Sequence, residues 1–173
     1  MSFSTFTLLN AQNNAINLIP QPIDIKQSTG SYLLSNAATI SFNKPESHHV
    51  AEMLKQKLTT PTGYAFKVQQ GVAGAIQLNL NSSPNAEIGK EGYVLEVTPR
   101  GVVISANQTA GLFYGMQSLI QLLPKEIESK TATKATWSIP SVKITDYPRF
   151  GWRGIMLDVS RHFFTKERSQ NVY

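Results

Sequence analysis

Between Gly92 and Asn107 the chain reads GYVLEVTPRGVVISAN, and no other stretch restricts the fold as tightly. Two runs of alternating apolar and polar residues are joined at Pro99, Arg100 and Gly101, a turn cluster at hairpin spacing. The same alternation occurs in AIQLNLN, where Ile76, Leu78 and Leu80 point to one face and Gln77, Asn79 and Asn81 to the other. Each run is a half-buried strand, so a sheet with one apolar face must form.

Two helical patterns interrupt the strands. From Pro45 to Leu58, Val50, Met53, Leu54 and Leu58 recur at helical spacing behind a proline suited to a first turn. The second helix is capped by Asn107 or Thr109 and stopped by Pro124, with Leu112, Phe113, Met116, Leu119, Ile120 and Leu123 on one apolar face. Gly111 and Gly115 lie one turn apart within it. A glycine inside a helix costs about 0.5–1 kcal/mol relative to alanine, so this pair calls for close approach to a sheet or another helix. The segment Ile16–Pro22, with its two prolines, reads as an edge strand, and Lys125–Thr136 as a solvated loop. Strand character resumes at Ile139, Val142 and Ile144, and Pro148 punctuates a boundary near Asp146 to Arg149.

Composition is that of a globular chain, 41% hydrophobic and 16% charged. With no cysteine, neither a disulfide framework nor a thiolate metal site can form. The net charge of +5 divides into +3 over residues 141–173, six basic against three acidic side chains, and +2 over the rest. That is a mixed surface with a basic tail, not the clustered stripe of a phosphate-binding face, and nucleic acid is not an expected partner. No apolar run reaches the roughly 18 residues of a membrane span. Residues 1–15 lack a basic residue ahead of their few apolar ones, and read as a flexible leader or the end of a secretory signal.

Chemistry is sparse before residue 146. His48 and His49 are adjacent on a helix, so they point about 100° apart and cannot share an ion. His48 and Glu52 have ligand spacing but no third partner, which favours a surface role. The Walker pattern, the dinucleotide fingerprint, the nucleophile elbow and HExxH are all missing from the sequence, and no aspartate adjoins a glutamate. Neither a cofactor nor a metal is expected, and no catalytic residue is assigned.

Taken in order, EGYVLEV, VVISA, GLFYGMQSLIQLLP and IPSVKITDYPRFGWRGIMLDVSRHFF resemble glycoside hydrolase family 20, the β-N-acetylhexosaminidases. The resemblance runs from about Ile19 to Glu167. It implies an α+β amino-terminal domain, an antiparallel sheet with two helices packed on one face, followed by the first strand of a TIM barrel. The expected division is a leader at 1–15, the α+β domain at 16–147, and the start of the (β/α)8 domain at 148–173. In the family a retaining, substrate-assisted reaction removes terminal N-acetylhexosamine: the sugar's acetamido oxygen attacks its own anomeric carbon, an aspartate orients the acetamide, and the neighbouring glutamate is the acid. The carboxylate pair lies downstream of the matching region. A periplasmic or secreted location is also what the family implies.

One substrate-binding residue carries over. Arg153, in the motif Trp152–Arg153–Gly154, corresponds to the family arginine that hydrogen-bonds sugar hydroxyls. Its planar fork of donors suits vicinal hydroxyls, whereas the residue pattern alone favours a solvated arginine at a strand start. In a strand, Arg153, Ile155, Leu157 and Val159 share one face and Asp158 falls on the other, so Asp158, Arg161 and His162 are assigned to support of the barrel strand. Two readings stand: the accessory portion of a hexosaminidase, inactive alone and meeting its glycan through the parent enzyme, or a separate carbohydrate-binding or protein-interaction module. Without its neighbours, the segment Trp152–Phe164 is expected to be an orphan strand that promotes self-association.

Overall fold

The computed structural model describes residues 16–154, Met156 and Thr165. The hairpin lies at its centre. Strand β5 (Tyr93–Thr98) runs antiparallel to β6 (Gly101–Ala106), in register from Tyr93 opposite Ala106 to Thr98 opposite Gly101. Gly101 follows the turn because the carbonyl of Ala75, which accepts the Val102 N–H at 2.9 Å, would lie 2.7 Å from any Cβ there.

Five further strands extend the sheet: β1 (Asp24–Leu33), β2 (Thr39–Phe42), β3 (Lys67–Gln70), β4 (Ile76–Leu80) and β7 (Ser138–Asp146). The spatial order is β1-β7-β5-β6-β4-β2-β3. The implied α+β class holds, with antiparallel pairing across β1, β7, β5 and β6. Across β6, β4, β2 and β3 the pairing is parallel. Helix α1 (His48–Thr62) explains the first change, since it carries the chain back so that β3 starts beside the start of β2. A second crossing, residues 71–75, then passes over β2, where a Cβ on Gly74 would stand 2.7 Å from Ser41 Oγ and 2.9 Å from the Thr39 carbonyl. Only a residue without a side chain passes there.

Helix α2 (Thr109–Leu122) packs beside α1 on the sheet face that buries Ile40, Ile76, Leu78, Leu95, Ile104 and Ile144. The paired glycines behave as their spacing implied. At Gly115 a Cβ would meet Ile104 Cγ2 at 2.5 Å and the Tyr93 ring at 3.1 Å, and at Gly111 it would run into the Gly92 carbonyl. Replacing either forces the helix off the hairpin.

Several local readings are corrected by tertiary contacts. Ile16–Pro22 is irregular, with a cis Ile19–Pro20 bond, and the edge strand begins only at Asp24. Two prolines there remove ladder donors, and Gln121 satisfies the Ile19 backbone instead, accepting from its N–H and donating to its carbonyl, both at 3.0 Å. Pro45–Ser47 forms a 3-10 turn ahead of α1, and the helix continues past Leu58 through Pro61 to Thr62. Thr62 Oγ1 donates to the Leu58 carbonyl at 2.6 Å, and Gly63, at φ 69°, closes the end by donating to Thr59. Neither Asn107 nor Thr109 caps α2: the cap position is Gln108, which makes no side-chain cap bond, Thr109 is already the first helical residue, and the Asn107 side chain bonds elsewhere. Within the expected loop, Lys125–Glu128 forms a 3-10 turn that buries Ile127, and Thr133 donates from its backbone to Pro61 at 2.9 Å.

Candidate functional site

Past β7 the chain turns at Tyr147–Pro148 and runs beside α2, and a groove of about 510 Å³ opens between them. Phe113, Tyr114, Gln117 and Gln121 of α2 form one wall, and Tyr147–Phe150 with Arg153 the other. Ile19–Gln21 closes the end, and Tyr93 and Asp146 contribute from the sheet. Asp146 ties two of these parts together, its Oδ1 accepting the Ile23 N–H at 3.2 Å. Tyr93 is 2% exposed, and its hydroxyl pairs with Ser118 Oγ at 2.5 Å. Burial pushes the Tyr93 phenol up to about 12, with the Asp146 charge adding in the same direction against the lowering by Ser118.

Arg153 stands at the mouth of this groove. Its Nη2 donates to the carboxylate of Glu91, forming an ion pair, and to Tyr114 Oη at 3.4 Å, while Nη1 donates to the Phe150 carbonyl at 2.7 Å. The Glu91 bond first, then Tyr114, raises the guanidinium pKa above its ordinary value, so it is charged at every accessible pH. A second concavity of about 270 Å³ lies beside it, lined by residues 86–91 with Tyr147, Pro148, Gly151 and Arg153. Glu91, Tyr147, Pro148 and Arg153 are common to both.

Glu91 holds its place because its loop is tied down twice. Asn107 accepts from Asn81 Nδ2 and the Asn85 N–H, each at 2.8 Å. Its amide donates to the carbonyls of Asn85 at 2.7 Å and Gly89 at 2.6 Å. Farther along, Gly92 donates to Ile88 at 2.9 Å and lies under Gly111. The side chain read as a helix cap therefore anchors the loop that presents Glu91.

The expected substrate residue Arg153 is thus located, on a segment where Trp152, Arg153 and Gly154 carry no strand and Trp152 is 88% exposed. Asp158, Arg161 and His162, and the leader at 1–15, lie outside the described residues. Glu91, Tyr114 and Asp146 were not singled out from the sequence, because each sits at the end or on the face of an ordinary element. Of the two adjacent histidines on α1, His48 packs edge-on against Phe42 at 5.3 Å and approaches Glu52 at 3.8 Å, while Lys55 takes the same carboxylate at 3.2 Å. Among the described residues no cluster has the makings of a metal centre. Chemically, the groove offers two guanidiniums, two carboxylates, amides and aromatic rings, the groups that meet a polyhydroxylated ligand. Among the described residues no helix is long and apolar enough to cross a membrane.

Residues 15–147 match the family model described as glycosyl hydrolase family 20, domain 2. The chain is 35% identical over 158 residues to a beta-hexosaminidase of Porphyromonas gingivalis, covering 90% of this chain and 20% of that protein. It is 30% identical over 153 residues to a beta-N-acetylhexosaminidase of Cellulomonas fimi, covering 87% and 30%. Among solved structures, the beta-N-acetylhexosaminidase of Streptomyces coelicolor aligns with a TM-score of 0.80 at 35% identity, over 88% of this chain and 31% of that one. The Streptomyces plicatus enzyme aligns at 0.76 and 38%, over 84% and 29%. The chain therefore spans a third or less of the proteins it resembles.

Proposed function

The chain belongs to glycosyl hydrolase family 20 through residues 15–147, and on that premise we propose that it is the accessory amino-terminal portion of a β-N-acetylhexosaminidase. In this reading residues 16–147 form the accessory domain, and residues from 148 onward open the (β/α)8 catalytic domain. The parent enzyme removes terminal non-reducing N-acetylhexosamine with retention, using the sugar's own acetamide as nucleophile. Arg153 contributes donors to the sugar hydroxyls, for which a planar charged fork is suited. The observation that carries the reading is the match of the whole sheet-and-helix unit to hexosaminidases, continued by the Trp152–Arg153–Gly154 motif.

On its own the chain is inactive. Acid catalysis and acetamide orientation need two placed carboxylates, and positioned acid–base groups contribute typically about 10²–10⁴-fold each. The sequence contains no adjacent Asp and Glu, and the carboxylates lining the groove, Glu91 and Asp146, already serve Arg153 and the Ile23 backbone. Purified chain incubated with an aryl β-N-acetylglucosaminide should release no aglycone above buffer. Turnover that survives repurification would overturn this reading.

A further inference from the structure

We draw no further inference here: the strongest candidate, the groove of about 510 Å³ between α2 and the chain that follows β7, belongs to the site already described, and nothing in the structure shows what covers it.

Discussion

Asn107 shows how much one side chain can organise. Its four hydrogen bonds join the end of β6 to the loop that presents Glu91, and none is to helix α2, which it precedes. Asn107→Ala removes all of them and leaves backbone groups of Asn85 and Gly89 without their partner. Stranding partly buried groups costs about 1–3 kcal/mol, and we expect a loss in that range by urea denaturation, with faster exchange of the Asn85 amide. Tyr93 makes a prediction about pH. Its folded pKa, raised to about 12 from 10.0, means that between these values the unfolded chain gives up a proton that the folded chain retains. Stability contributed by this group is complete below pH 10 and declines toward pH 12, by about 2–3 kcal/mol for two pH units. Unfolding measured from pH 9 to 12 should fall less steeply in Tyr93→Phe. A slope equal to that of the parent would place the alkaline sensitivity elsewhere.

At the scale of elements, the glycines of α2 turn a helix into a close-packed layer. Alanine at 111 would gain helix propensity, about 1 kcal/mol at most, yet its Cβ would stand 2.8 Å from Ala106 Cβ and collide with the Gly92 carbonyl. Overpacking of this kind costs about 1–3 kcal/mol, and backbone is the neighbour that must yield. Gly111→Ala should therefore destabilise the protein in chemical denaturation, the opposite of what propensity dictates. The spacing of Gly111 and Gly115 was legible from the sequence because glycine in a helix interior has a cost that demands a reason. The end of α1 was not, since the apolar spacing stops at Leu58. Thr62 and Gly63 complete the last turn there, and Thr133 docks on the Pro61 carbonyl from 72 residues away.

For the whole molecule, the segment after β7 tests where the core ends. Phe150 and Trp152 are 74% and 88% exposed, and the Arg153–Glu91 pair lies at the surface, where ion pairs add little to stability. Truncation after Tyr147 should shift Tm by less than about 5 °C, the scale of a kcal/mol in a domain near this size. It should also lessen concentration-dependent association in sedimentation, by removing exposed aromatic surface. A larger fall in Tm would make the segment part of the core. The sequence alone determined the two helices, the central hairpin and the neighbouring strand β4, because periodicity and turn chemistry act over a few residues and leave a local mark, while the family resemblance came from the order of its motifs. Strands β2 and β3, only four residues each, are too short to display a period. Strand β1 is mostly polar and exposed, and carries no apolar alternation to read. The parallel half of the sheet, the crossing of Gly74 over Ser41, and the meeting of Glu91, Tyr114 and Arg153 were decided only by the tertiary structure. Each joins residues far apart in the chain, and their encounter depends on how the helices and strands stack, which no local pattern encodes.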